Sequence, residues 1–243
     1  MKAPGRVLLL NGSPRPGAST SESLLTYLDE ELEKLGVSTQ ALKLTKAVRS
    51  EERTAELLAA IDGSDLVVLA FPLYWDSLPG HVVRACELIA RHRAASPAGA
   101  APDRVAPGGP APGAAARPGF AAIVQGGFPE AEQNAVALEI CRHFAAAADL
   151  EWAGGLALGG GGMIDGAPLR KLGGRVKTAM QALDQTAAAF AAGRPVPDEA
   201  VRLMAKNPPA IVIRFGANSH FRSQHKKQGK APLDARPFAS PPP

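Results

Sequence analysis

Four hydroxyls and one guanidinium crowd the nine residues from Ser13 to Ser21: Ser13, Arg15, Ser19, Thr20 and Ser21. Hydroxyls donate one proton each, and an arginine offers a planar fork of N–H groups, so this is a donor set for an anion and above all for a phosphate. Val7-Leu8-Leu9-Leu10 stands in front of it, a short apolar run without alternation that reads as a strand buried on both faces. Behind it Leu24, Leu25, Leu28, Leu32 and Leu35 recur at helical spacing, with Ser19, Thr20 and Ser21 as N-cap candidates. Strand, polar loop and helix start leave backbone N–H groups and the positive end of a helix dipole facing one spot. An ordinary turn before a well-capped helix fits the same residues, and the local pattern does not separate the two. Neither G-x-x-x-x-G-K-[ST] nor a G-x-G-x-x-G after the first strand is present. Hydroxyls in place of glycines favour a terminal monophosphate held by side chains over a pyrophosphate lying on bare backbone.

Two more stretches stand out. Leu66 to Phe71 is a second fully apolar strand, and it runs into Pro72-Leu73-Tyr74-Trp75-Asp76-Ser77-Leu78-Pro79-Gly80. Aromatic residues make up 5% of the chain, so a Tyr-Trp pair at the carboxyl end of a buried strand marks a binding edge or a plug over the sheet. Phe120 to Val124 is a third such strand, ending in Gln125-Gly126-Gly127-Phe128-Pro129-Glu130. The histidines form no nucleophile or metal spacing with one another or with Ser and Asp. His81 falls at a helix start, where substrate contact is one reading and a surface role the simpler one. Cys86 and Cys141 are far apart in helical patterns and read as small buried side chains of a reducing compartment.

The elements that must position these loops alternate at short intervals. Val37–Leu44 is an alternating strand near an edge, Glu51–Ile61 a helix, and Val82 to Ile89 lie on another. Ala131–Ala148 is a helix, Glu151–Leu158 a fifth strand followed by Gly159-Gly160-Gly161-Gly162, and Leu169–Ala192 the last core helix. The glycine run suits either a close backbone approach or a loose strand exit. Strand–helix alternation of this kind specifies a parallel sheet with helices on both faces, here five strands and five helices. Residues 94–119 are rich in Ala, Pro and Gly and are expected to form a mobile loop. The expected division is a domain of 1–194 and an extension of 195–243, helical in part with a disordered end.

The net charge of +4 is uneven: 195–243 carries eight Lys/Arg against three Asp/Glu, and the remainder is almost neutral. The basic balance therefore belongs to the extension and does not mark the main domain as nucleic-acid-binding. Within the extension, a polyanion or membrane-surface contact is the less favoured reading beside a solvated charged face. No apolar run approaches a membrane span or a signal segment, so a cytoplasmic protein is expected.

In a sheet of order 2-1-3-4-5, strands one, three and four are neighbours, and the switch point lies between one and three. The hydroxyl-rich loop, the Tyr-Trp loop and the Gly-Gly-Phe loop would then meet at one crevice. A phosphate pocket, an aromatic wall and a glycine edge suit a planar ring on a phosphorylated tail, which describes FMN.

Asn11-Gly12-Ser13-Pro14-Arg15 with Ser19-Thr20-Ser21, Phe71 through Gly80, and Gly126-Gly127-Phe128-Pro129-Glu130 together resemble the flavodoxin-like NAD(P)H-dependent FMN reductase and quinone reductase superfamily. The resemblance covers about residues 5–193 without the Ala/Pro/Gly insert. It implies a flavodoxin-like three-layer sandwich and, commonly, a homodimer with the flavin near the interface. It implies that Ser13, Arg15, Ser19, Thr20 and Ser21 hold the FMN phosphate, that Pro72, Leu73, Tyr74 and Trp75 line the isoalloxazine, and that Gly126, Gly127 and Phe128 approach its pyrimidine side. Some relatives hold an iron–sulfur centre through cysteines in an insert; the insert here has none, so no cluster and no metal is expected. The expected activity is hydride transfer from NADH or NADPH to FMN and on to a small flat acceptor such as a quinone, with no acid, base or nucleophile required of the protein. The alternatives are an FMN electron carrier for a protein partner and a phosphate-binding regulatory module.

Overall fold

The structure is a computed structural model describing residues 1–95, 117–206 and 210–227. It divides into two units, Met1–Asn207 and Pro208–Pro243. The first holds a five-stranded sheet of β1 (Arg6–Asn11), β2 (Ser38–Lys43), β3 (Leu66–Pro72), β4 (Gly119–Gln125) and β5 (Glu151–Leu158). All four pairings are parallel, in the order β2-β1-β3-β4-β5. This is the flavodoxin-like α/β sandwich that the strand pattern specifies.

Two layers of side chains bury the sheet, and the period-2 geometry of each strand sorts them. Val7 and Leu9 of β1 and Val68 and Ala70 of β3 face α1 (Thr20–Lys34) and α7 (Lys177–Ala191). Leu8 and Leu10, Val67 and Leu69 face the other way, against α2 (Leu44–Ala47), α3 (Glu51–Asp62), α4 (Gly80–Ala95) and α5 (Ala135–Ala147). Cys141 is buried in that second layer and Cys86 packs against it; burial pushes both thiols up, Cys86 to about 12, so neither is poised as a thiolate.

The edges are handled differently. β2 is exposed along much of its length, whereas β5 is covered by the chain beyond α7, where the Val196 N–H donates to the Ala153 carbonyl at 2.8 Å. A register shift between Phe120 and Ala121 lets Gly154, at φ +107°, turn toward Val196.

Three boundaries differ from the sequence expectation. The last core helix is broken: α6 covers only Leu169–Leu172, a 3-10 turn spans Gly173–Val176, and α7 begins at Lys177. Gly173 adopts φ +56°, which an α-helix does not accommodate. The helix expected from Ala131 opens as a 3-10 turn, Ala131–Asn134, before α5. The first unit also extends past 194. α8 (Asp198–Ala205) inserts Ala200 and Met204 into the core that holds Leu183 and Phe190, which keeps it with the main domain.

The second unit contains α9 (Ala210–Lys227), on which Ile211, Phe215 and Phe221 are exposed. Most of the 94–119 insert and the expected disordered end lie outside the described residues. No described helix is long and apolar enough to cross a membrane.

Candidate functional site

Because the strands are parallel, the loops after β1, β3, β4 and β5 leave from one end of the sheet. Backbone bonds then lock each loop to its neighbour. The Gly12 N–H donates to Ala70 O at 2.7 Å, Leu73 N–H to Gln125 O at 2.8 Å, and Gly126 N–H to Leu158 O at 2.9 Å.

The first loop is built around its side chains. Asn11 Oδ1 accepts from the Ser13 N–H at 2.9 Å, and Ser13 Oγ accepts from the Arg15 N–H at 3.3 Å. Ser19 caps α1: its Oγ accepts from the Glu22 N–H at 3.3 Å. Among the described residues, the hydroxyl protons of Ser13 and Ser19 have no acceptor. Thr20 differs, since its hydroxyl donates to the Gly161 carbonyl at 2.8 Å. Ser21 is fully buried, and its Oγ is a hydroxyl without a partner among the described residues. Arg15 is exposed, with Nη1 2.6 Å from Asp165 Oδ1, and Lys43 Nζ donates to its carbonyl.

Tyr74 and Trp75 sit on a tight hairpin closed by two bonds of 2.9 Å between Tyr74 and Ser77. Its central residues, Trp75 and Asp76, have φ of 49° and 58°, the left-handed pair of a type I′ turn that ordinarily selects Asn-Gly. A bulky aromatic there is strained, and Trp75 is 98% exposed. The pair is therefore no plug over the sheet. Pro72 and Leu73 lie half-buried at the strand end below it.

Gly126, Gly127 and Phe128 are held by the glycine run after β5. The Gly161 N–H donates to Gly126 O at 2.8 Å and the Gly160 N–H to Phe128 O at 2.6 Å. The run is thus a close backbone approach within the chain: a Cβ on Gly161 would fall 3.2 Å from the Gly126 carbonyl oxygen. A Cβ on Gly127 would meet nothing within 4 Å, and Phe128 is 68% exposed. The segment after β5 then reaches the first loop, where a Cβ on Gly166 would come within 2.7 Å of the Ala18 carbonyl carbon.

Asn134 and Asp165 carry no signal of their own in the sequence, and His81 is half-buried in place of the surface role expected of it. Asn134 is fully buried; its Nδ2 donates to Ala131 O at 3.1 Å and to Leu158 O at 3.2 Å, fixing the base of the Gly126 loop. Its Oδ1 is unpartnered among the described residues. Asp165 pairs with Arg15 across 150 residues of chain. His81 places Nε2 2.9 Å from the Gly12 carbonyl oxygen, tying the start of α4 to the first loop. Burial pushes its pKa down, opposed by that bond.

A groove of about 410 Å³ runs between α1 and the segment Gly166–Lys171, on a wall that includes Tyr27 and Arg170. Ala18 and Gly166 line it, but none of the site residues expected from the sequence does. On that wall Arg170 pairs with Glu30 and Glu31, and the Tyr27 hydroxyl donates to Asp184.

Residues 5–117 match the family described as NADPH-dependent FMN reductase. No curated protein matches the chain in sequence. Among solved structures, a flavone reductase is 15% identical, with 76% of this chain and 62% of that one covered and a TM-score of 0.54. An FMN-dependent NADH-azoreductase from Bacillus anthracis, solved with FMN, is 13% identical over 76% of this chain and 99% of its own, with a TM-score of 0.51. At such identities the likeness is one of fold. Over residues 5–117, a little under half of its length, the chain is thus similar to the NADPH-dependent FMN reductase family, on a flavodoxin-like fold.

Proposed function

We propose that this protein binds FMN at the carboxyl ends of β1, β3 and β4, passes hydride to it from NADPH or NADH, and delivers the electrons to a small flat acceptor such as a quinone. The observation that carries the reading is the adjacency of those three strands, which gathers the hydroxyl-rich loop, the strained aromatic hairpin and the Gly126–Phe128 loop at one end of the sheet.

The residues present fit the cofactor. Thr20 and Ser21 open α1, so their N–H groups have no intrahelical acceptor and can point at a phosphate. The unpaired Ser21 hydroxyl and the free protons of Ser13 and Ser19 add donors, and Arg15 and Lys43 add positive charge. Open space beside Gly127 leaves room for a ring edge, and the exposed Tyr74–Trp75 hairpin offers a stacking surface.

Bound FMN supplies the hydride chemistry. The chain's work is to bind the phosphate, orient the ring and keep water from it. No side chain is required to exchange a proton with substrate. The same reading takes the protein as a homodimer, in which a second subunit covers Trp75 and Phe128, large apolar side chains otherwise left in water.

The test is an absorbance spectrum after FMN loading and removal of excess ligand, followed by anaerobic NADPH and, separately, NADH. Retained flavin bands near about 370 and 450 nm that bleach with either nicotinamide are the expected result. No retained flavin overturns the reading. Retained flavin that neither nicotinamide bleaches points instead to an electron carrier fed by a protein partner.

A further inference from the structure

Arg15, the one cation within the hydroxyl-rich loop, already has a counter-ion. Its Nη1 lies 2.6 Å from Asp165 Oδ1, and both side chains are a little over half exposed. The carboxylate is delivered by the backbone. Asp165 adopts φ +42° and Gly166 φ +80°, a turn pressed so closely on Ala18 that a Cβ at 166 would meet its carbonyl carbon at 2.7 Å. Four residues earlier, the bond from the Thr20 hydroxyl to Gly161 O fixes the same segment to the start of α1. Asp165 is thus anchored on both sides beside the donors of the first loop. Lys43, bonded to the Arg15 carbonyl, brings a second cation to the loop.

We propose that Asp165 is the specificity-determining residue of the phosphate pocket, a resident carboxylate that competes with a flavin phosphate for Arg15 and holds down the preference for FMN over riboflavin. The inference rests on the FMN reading above. An exposed ion pair of this kind is weak, so an incoming phosphate dianion displaces it. The displaced carboxylate cannot go far, because its turn is pinned, and it then stands as a like charge next to the dianion. Riboflavin has the same ring but no phosphate, and it does not sense Asp165.

The experiment measures dissociation constants for FMN and riboflavin, by flavin fluorescence or equilibrium dialysis, for the wild-type protein, Asp165→Asn and Asp165→Ser. Asn is nearly isosteric and tolerates the left-handed conformation, so Asp165→Asn removes the charge and keeps the turn. Asp165→Ser is a second neutral variant should the first fold poorly. The expected result is FMN bound about tenfold more tightly by the neutral variants, with riboflavin binding within about twofold of wild type. Unchanged or weaker FMN binding by variants of a wild type that binds FMN overturns the role of Asp165 alone. Equal tightening of FMN and riboflavin also overturns it, because the effect would then come from the turn and not from charge. A wild type that binds neither flavin overturns the FMN reading and this inference with it.

Discussion

His81 Nε2 lies 2.9 Å from the carbonyl oxygen of Gly12, so the start of α4 grips the loop that follows β1. A carbonyl only accepts, which requires the proton on Nε2 and fixes the tautomer of the neutral ring. Burial lowers the His81 pKa in the folded protein below its ordinary value, so the folded state binds fewer protons than the unfolded chain. Stability from this group is complete above about pH 6.5 and is lost as pH falls from there toward the depressed folded pKa. His81→Gln keeps an N–H donor and cannot titrate. Denaturant unfolding across about pH 5 to 7.5 is expected to show the variant gaining on the wild type as pH falls. A constant difference across that range would show that His81 contributes no pH dependence.

Gly12 is required by packing. A Cβ there would lie 2.8 Å from both Phe71 Cβ and Val82 Cγ2, and those two residues are fully buried. Gly12→Ala is expected to cost about 1–3 kcal/mol by overpacking. At about 2–4 °C per kcal/mol for a chain of this size, calorimetry resolves the loss. Gly17→Ala is the control in the same loop, since an added Cβ there meets nothing within 4 Å; its melting temperature should be unchanged or slightly higher.

At the hairpin, stability and function should part. Trp75 and Asp76 occupy left-handed positions that Asn-Gly fills at little cost. The double variant Trp75→Asn/Asp76→Gly is expected to be more stable than wild type by about 1–2 kcal/mol, because it relieves two strained residues. It should also bind FMN more weakly and lose the quenching that a stacked tryptophan imposes on flavin fluorescence. A variant that gained stability and bound FMN as well as wild type would remove Trp75 from the site.

Gly166 carries two constraints, a φ of +80° and contact with the Ala18 backbone. Gly166→Ala is expected to destabilise by about 2 kcal/mol or more, through strain and overpacking together. Gly162→Ala, four residues earlier in open space, is expected to be near neutral. Thermal melts of the two variants side by side test whether the turn bearing Asp165 is held as tightly as its geometry requires.

Residue order by itself determined the main architecture. Runs such as Val7–Leu10 and Leu66–Phe71 can be buried on both faces only in a central parallel strand, and the leucines of α1 admit only a helix. From these the sheet order, the two helix layers and the end of the sheet where loops gather follow by general rules of chirality and connection. The hydroxyl-rich loop, the aromatic pair and the Gly-Gly-Phe turn were legible for the same reason: each follows directly on a strand whose pattern is unambiguous. Tertiary structure alone decided what those residues touch. The left-handed turn at Trp75-Asp76 has no Asn-Gly to announce it, and the break at Gly173 interrupts a helical pattern with a backbone angle that composition does not encode. α8 belongs to the main domain because Ala200 and Met204 find a core built by residues far earlier in the chain. Arg15 meets Asp165, and Thr20 meets Gly161, only because the segment after β5 returns to the first loop. Patterns local in sequence specify elements, because helix and strand periods act over a few residues. Contacts between loops 140 or more residues apart depend on how the finished elements pack, and there the charge and donor balance of this site is set.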